Sequence, residues 1–142
     1  MEEEFALSPA EAARACRGNL PAQVIAGLEL FNRGAYFEAH EVLELAWRAE
    51  TAPVRELYRG ILQVGVAYYH IQRGNYRGAL KMFRRASGWL APFPDECCGI
   101  NLGHLRASAA RVEAVLRRLG PDRIAFFDTS LFQPIHYRGA KP

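Results

Sequence analysis

The sequence contains no long apolar run and only three cysteines among its 142 residues. A membrane-spanning helix needs about 20 predominantly apolar residues in succession, and no stretch of this chain approaches that length. The first residues, MEEEFALSPAEAA, also lack the basic and then apolar pattern of a secretory signal. These absences predict a cytoplasmic protein that does not bind membranes.

The cysteines do not have the spacing of a zinc site or of a disulfide framework. Cys97 and Cys98 are adjacent and Cys16 is far away in the sequence, so the chain has no C-x-x-C pair. For a cytoplasmic protein we therefore expect reduced thiols. Redox chemistry of the adjacent pair is the alternative.

Motifs for the commonest enzyme chemistries are also missing. The sequence has no phosphate-binding glycine loop of either common kind, and no serine or cysteine lies in the local sequence of an activated nucleophile. His104 and His136 lie in separate regions, where surface or packing roles are the simpler interpretation. The sequence therefore indicates no organic cofactor and no named reaction.

Helical periodicity runs through most of the chain. The length and the balance of 50% hydrophobic and 23% charged residues are typical of one soluble globular domain covering 1–142. Apolar spacing and capping residues predict six helices. The predicted fold is an all-α, compact multihelical bundle of about five to six helices built on two helical hairpins. The expected segments are core hairpins at about 21–90, a last helix at about 101–119 and an irregular tail at 121–142.

An internal repeat supports the two hairpins. Residues 33–46 read RGAYFEAHEVLELA and residues 73–86 read RGNYRGALKMFRRA. The shared glycine, tyrosine and alanine positions resemble the second half of a tetratricopeptide-type hairpin. Because the offset is 40 residues and only two copies occur, we expect packed hairpins and not an open superhelix.

The tail contains six large apolar residues without a sustained helical period. Disordered segments are poor in aromatic residues, so we expect the tail to pack on the bundle or on a second subunit. A homodimer formed through the tail remains open. The six residues are Phe126, Phe127, Leu131, Phe132, Ile135 and Tyr137.

Polar residues interrupt the two most apolar helices. One face of the third helix is predicted to be buried, and Phe37 and Leu45 make its opposite side apolar as well, so little of this helix is expected to be solvated. That buried face comprises Tyr36, Ala39, Leu43, Ala46 and Trp47. Antiparallel packing of the third and fourth helices would bring their polar residues together as one site. The predicted polar site consists of His40, Glu41, Glu44, Arg59, Gln63 and His70.

Buried charges need a partner, a hydrogen bond or a metal ion, which leaves three interpretations of this site. The first is an internal network, such as Glu44 with Arg59 and His40 with a backbone carbonyl. The second is a polar pocket for a ligand. The third is a divalent-metal centre formed by His40, Glu44 and His70, although HEVLE lacks the second histidine of the zinc-protease motif. We favour a binding or interaction protein, and the alternative is a hydrolase-like metal-dependent enzyme that also uses Glu41.

A cluster of basic residues, termed the basic face, lies on and just before the predicted fifth helix. A solvated surface is the simpler interpretation of such a cluster. The alternative is a binding site for an acidic protein or for RNA, and the net charge of only +3 argues against tight binding of nucleic acid. The basic face consists of Arg73, Arg77, Lys81, Arg84 and Arg85.

The runs FNRGAYFEAHEVLELAW and YRGILQVGVAYYHIQRGNYRGA strongly resemble the family called domain of unknown function 309. The resemblance covers roughly residues 28–90. It implies an all-helical bundle of five or six helices and supplies no catalytic residue. The positions that match the family pattern are Asn32, Gly34, Tyr36, Glu38, His40, Glu41, Glu44, Trp47, Gly60, Gln63, His70, Gly74 and Asn75.

Overall fold

The computed structural model describes residues 7–139. Within that range the chain forms six α-helices, one antiparallel pair of two-residue strands and two 3-10 helices, which confirms the predicted all-α class. The elements are α1 (Pro9–Ala15), α2 (Ala22–Asn32), α3 (Tyr36–Ala49), α4 (Arg55–Gln72), α5 (Tyr76–Leu90), β1 (Glu96–Cys97), β2 (Ile100–Asn101), α6 (Leu102–Leu119) and the 3-10 helices Pro121–Phe126 and Thr129–Leu131.

Local sequence explains where several helices begin. Ser8 and Glu11 form the predicted capping box, in which each side chain bonds the backbone of the other residue at 3.1 Å. Asn75 caps α5 by accepting from the Gly78 amide at 2.9 Å. Asn101 caps α6 in the same way. These side chains satisfy amides that have no partner inside the helix.

The internal repeat corresponds to the hairpins α2–α3 and α4–α5. The turns between their helices contain Gly34 and Gly74, with φ of +80° and +74°, a region that glycine enters without steric cost. In the second hairpin, a Cβ on Gly60 would lie 2.5 Å from a methyl carbon of Leu90. Glycine is therefore what allows α4 and α5 to approach this closely.

Helix α4 lies at the centre of the bundle, and eleven of its residues are buried. On α3 the predicted face is buried at Tyr36, Ala39, Leu43 and Ala46. The expectation that its opposite side is also shielded is wrong, because Phe37 is 46% and Leu45 is 58% exposed.

The C-terminal tail packs on the bundle, as predicted. The ring of Phe132 stacks on Tyr68 at 4.4 Å between centroids. Asn32 donates to the Ile135 carbonyl at 2.9 Å and accepts from the Ile135 amide at 2.7 Å. One side chain of α2 thus holds the tail by two hydrogen bonds, while Phe126 remains 78% exposed. The last three residues of the predicted tail, 140–142, lie outside the described range.

The expectation of three reduced thiols is wrong for this fold. Cys16 and Cys97 form a disulfide that joins the residue after α1 to β1, across a sequence separation of 81 residues. Cys98 is a free, buried thiol whose backbone amide donates to the Cys16 carbonyl at 2.9 Å. The cysteine spacing could not reveal this pair, because the β-hairpin between α5 and α6 brings its members together.

None of the helices within residues 7–139 is long and apolar enough to cross a membrane.

Candidate functional site

A cavity of about 270 Å³ lies where α3, α4 and α5 meet, and we term it the polar groove. It brings together four of the six residues of the predicted polar site: His40 and Glu44 from α3, and Arg59 and Gln63 from α4. The complete lining is His40, Glu44, Trp47, Arg59, Leu62, Gln63, Val66, Met82 and Arg85. The predicted polar residues of α3 and α4 therefore do line the same groove, and α5 forms a third side of it.

The other two predicted residues, Glu41 and His70, do not line the polar groove. Glu41 is exposed on α3. His70 lies near the carboxyl end of α4, where its Nδ1 is 3.4 Å from the side-chain amide nitrogen, Nδ2, of Asn75. Burial lowers the pKa of His70 below its usual value. The antiparallel register of α3 and α4 separates His70 from His40, and residue types alone do not specify that register.

Arg59 is the best-positioned cation of the groove. Its guanidinium carbon is 4.4 Å from the ring centroid of Trp47 and 4.2 Å from that of Trp89. Such stacking holds the planar guanidinium by cation–π attraction and by contact. Trp89 comes from α5 and was not singled out in the sequence, because its approach to Arg59 depends on how α4 and α5 pack.

The predicted placement of Trp47 in the core is wrong. Trp47 is only partly buried, and the guanidinium groups of both Arg55 and Arg59 lie within 4.5 Å of its ring centroid. Its indole nitrogen donates to Glu56 at 3.3 Å. This residue is at the rim of the groove, where its polar edge reaches a carboxylate.

The predicted ion pair between Glu44 and Arg59 is not formed. The Glu44 carboxylate lies 3.9 Å from His40 and 3.4 Å from Arg48, both on its own helix. Arg59 instead lies 3.8 Å from Glu56, which is too long for a hydrogen bond. Glu44 thus lies against neighbours on its own helix, whereas Arg59 is held by tryptophans of α3 and α5, and the two residues do not pair with each other.

Gln63 is the buried polar residue at this site, with 9% of its surface exposed. Its Oε1 atom has no hydrogen-bond donor within residues 7–139. Leaving a buried acceptor unpaired costs about 1–3 kcal/mol, so such atoms are uncommon in folded proteins. The atom is a candidate acceptor for a group that enters the groove.

The geometry does not assemble the predicted metal ligands. Among the described residues, no three histidine, cysteine, aspartate or glutamate side chains come together in a way that could hold a metal ion. His40 and Glu44 are adjacent, whereas His70 lies beside Asn75. The groove itself therefore contains two of the three proposed ligands.

The basic face is divided between different surfaces. Arg77, Lys81 and Arg84 line a second groove between α5 and α6, whereas Arg85 lines the polar groove. The guanidinium of Arg73 lies 5.9 Å from the ring of Tyr69. The second groove also contains Arg117 of α6, which the basic pattern of the fifth helix could not reveal.

Most of the polar groove lies in a segment that is similar to a known family. Residues 24–82 match the family model Domain of unknown function (DUF309). The resemblance read from the sequence motifs is confirmed over this range. The DUF309 segment extends from α2 into α5 and contains every residue that lines the polar groove except Arg85.

Two curated relatives carry similar segments. An uncharacterized protein of Aquifex aeolicus (strain VF5) is 32% identical over 78 residues, which is 54% of this chain and 23% of that protein. The uncharacterized protein YpuF of Bacillus subtilis (strain 168) is 42% identical over 48 residues, which is 33% of this chain and 28% of YpuF. The matched segments thus span about a quarter of the length of each relative.

Proposed function

We propose that this protein is a small cytoplasmic binding protein whose polar groove takes a small ligand carrying both a carboxylate and a hydrogen-bond donor. Amino acids and peptide termini have this chemistry. The observation that carries the proposal is the buried Oε1 atom of Gln63, which lacks a donor within residues 7–139 and lies in the same groove as Arg59.

Arg59 supplies the carboxylate site. Its guanidinium is held between two indole rings, so little side-chain freedom is lost when a ligand binds. Within the described residues it has no hydrogen-bond acceptor at short range, since the Glu56 carboxylate is 3.8 Å away. A planar guanidinium can bind a carboxylate through two parallel hydrogen bonds.

Gln63 and Glu44 supply the acceptors for the donor end of the ligand. The Gln63 oxygen needs one donor, and the Glu44 carboxylate adds negative charge on the α3 side. A ligand with an ammonium group beside its carboxylate matches the opposite charges of Glu44 and Arg59. The volume of about 270 Å³ is close to the lower end of the range of about 300–1,000 Å³ for small-molecule sites, which favours a ligand of amino-acid size.

Thermal unfolding of the purified protein with a panel of amino acids and dipeptides at about 10 mM tests this proposal, since a ligand of the native state raises the melting temperature by mass action. We expect at least one member of the panel to raise it. Arg59→Lys and Gln63→Met are expected to reduce that rise strongly. Arg55→Lys is the matched control, because Arg55 also lies against Trp47 but does not line the groove.

Absence of any rise across the panel would contradict the proposal, as would equal rises in Arg59→Lys and Arg55→Lys. The metal-dependent alternative is tested in the same assay with zinc and manganese. A rise with metal that His40→Ala abolishes would replace the binding-protein interpretation by a metal site at His40 and Glu44.

A further inference from the structure

The groove between α5 and α6 has a volume of about 600 Å³, and we term it the basic groove. Its cations are Arg77, Lys81 and Arg84 from one face of α5 and Arg117 from α6. Arg77 and Arg84 are seven positions apart on α5, or about 10 Å along the helix axis. The basic groove and the polar groove share no lining residue.

Within the described part of the chain, most of the positive charge in the basic groove lacks a carboxylate partner. Glu113 is the acidic residue of the lining, and its carboxylate accepts from Nε and Nη2 of Arg117 at 3.0 and 2.9 Å. Within residues 7–139, Arg77, Lys81 and Arg84 have no carboxylate partner. All three are exposed. As far as residues 7–139 are concerned, the groove therefore presents a row of three cations without carboxylate partners to any ligand.

A smaller apolar cavity of about 100 Å³ continues the basic groove toward the amino-terminal half of α6. The two cavities meet at Phe83, Ser87 and Glu113. The remaining lining residues of the smaller cavity are Val64, Ala86, Leu90, Arg106, Ala109 and Ala110. An engineered apolar cavity of about 150 Å³ holds one benzene molecule, so this cavity has room for about one aliphatic side chain.

The arginine in the apolar cavity is already engaged. Arg106 donates from Nη1 to the carbonyls of Leu90 and Phe93 at 3.0 and 2.9 Å, and from Nη2 to Asp95 at 2.7 Å. Its guanidinium closes one end of the cavity and ties α6 to the end of α5. The cavity is thus an apolar slot bounded by fixed groups, and the unpaired cations lie at its other end.

We infer that the basic groove is the docking site for an acidic peptide segment of a partner protein, anchored by one aliphatic side chain in the adjacent apolar slot. Carboxylates spaced along the peptide match the row of cations on α5, and the anchor fills a desolvated pocket as interface hot spots do. Nucleic acid fits less well. Its bases bind by stacking on exposed aromatic rings, whereas Phe83, the aromatic residue of both linings, is 3% exposed.

The test is fluorescence anisotropy at low salt with a short fluorescein-labelled peptide in which one leucine is flanked by glutamates. We expect saturable binding that weakens as salt is added, since exposed charges are screened. Replacing the leucine of the peptide by serine is expected to weaken binding about tenfold, because one aliphatic side chain is no longer buried.

The triple variant Arg77→Ser, Lys81→Ser, Arg84→Ser should weaken peptide binding about tenfold, because each exposed ion pair contributes modestly. The matched control is Arg111→Ser, Arg118→Ser, Arg123→Ser, which removes the same charge from exposed positions outside the groove. Circular dichroism of both variants checks that the helices are retained.

Three results would overturn the inference. The first is no saturable binding of the leucine peptide. The second is equal loss of affinity in the triple variant and its control, which would indicate non-specific attraction by net charge. The third is tighter binding of a single-stranded RNA of matched charge than of the peptide, which would identify a nucleic-acid surface instead.

Discussion

At the scale of single residues, the candidate site depends on which side chains of α3 and α4 are buried in the core and which line the groove. Trp47 belongs to the apolar face of α3 in the sequence pattern. In the structure it lies at the rim of the polar groove, where Arg55 and Arg59 stack on its ring. Gln63 is the opposite case, a polar residue that α4 carries into the interior. Helical periodicity gives the direction of each side chain, but the neighbours of that side chain decide its role.

Tyrosine ionisation is expected to couple to stability at high pH. Burial raises the pKa of both Tyr36 and Tyr58 to about 12 and raises the pKa of Tyr68 further. An unfolded chain loses these protons near pH 10, so the unfolded state binds fewer protons than the native state above that pH. Stability is therefore fully present below about pH 10 and is lost as the pH rises toward 12.

Tyr68→Phe provides the residue-level check of this coupling. The Tyr68 hydroxyl is buried without a partner among the described residues, so its removal is expected to be neutral or to stabilise by up to about 1 kcal/mol at neutral pH. The variant should also lose less stability than the wild type between pH 8 and pH 11 in urea titrations. A destabilisation above about 1 kcal/mol at neutral pH would mean that the hydroxyl has a partner.

At the scale of elements, helix bounds follow from local sequence, whereas the approach of two helices follows from single small residues. Gly27 and Gly60 both face a leucine of the neighbouring helix at distances that leave no room for a Cβ. The two glycines belong to α2 and α4, one in each hairpin. The repeat therefore predicts the two hairpins, whereas the distance between the helices of each hairpin depends on these single glycines.

Gly60→Ala tests the close approach of α4 and α5. The added methyl would lie 2.5–2.6 Å from side-chain carbons of Leu90, so we expect a loss of about 1–3 kcal/mol from overpacking. Gly65→Ala, on the same helix, is the matched control. Its methyl would contact Phe31 at 3.4 Å, and replacing a helical glycine there is expected to stabilise by up to about 1 kcal/mol. Equal effects of the two changes in denaturant titrations would be inconsistent with this packing.

At the scale of the whole molecule, two long-range links hold segments that flank the helical hairpins. Asn32 holds the tail at Ile135. The Cys16–Cys97 disulfide holds the segment after α1 to the β-hairpin. Both links lie outside the repeat, and both connect positions more than 80 residues apart. They hold the segments on either side of the two helical hairpins, which form the centre of the fold.

The disulfide is expected to contribute to global stability. In the loop-closure model, a bridge across 81 residues stabilises by up to about 4.5 kcal/mol, and measured losses are commonly about 2–4 kcal/mol. Cys16→Ser should therefore lower the urea midpoint of the oxidised protein and should not differ from the wild type in the presence of a reductant. Cys98→Ser is the control, because it leaves the bridge intact.

Thiol titration of the unfolded wild-type protein without reductant should detect one free thiol, that of Cys98. Detection of three would show that the bridge does not form, and the expectation of reduced thiols in a cytoplasmic protein would be restored.

The helices, several of their caps, the paired hairpins and four members of the polar groove could be predicted from the amino-acid sequence. These features depend on residues close together in the chain, where an apolar period of 3.6, a capping side chain or a glycine turn acts locally. His40 and Glu44 could be predicted to share a face because they are one helical turn apart. Arg59 and Gln63 could be placed opposite them because consecutive helices joined by a short turn pack antiparallel.

Contacts between distant residues could not be predicted in this way, because they depend on how the helices pack. The approach of Trp89 to Arg59, the exclusion of His70, the pairing of Cys16 with Cys97 and the addition of Arg117 to the basic groove all depend on helix register and on the path of the chain after α5. A shift of one residue in register would redirect Trp89, His70 or Arg117 by about 100° around its helix. No local pattern encodes that register, because it is set by how all the buried side chains fill the core together.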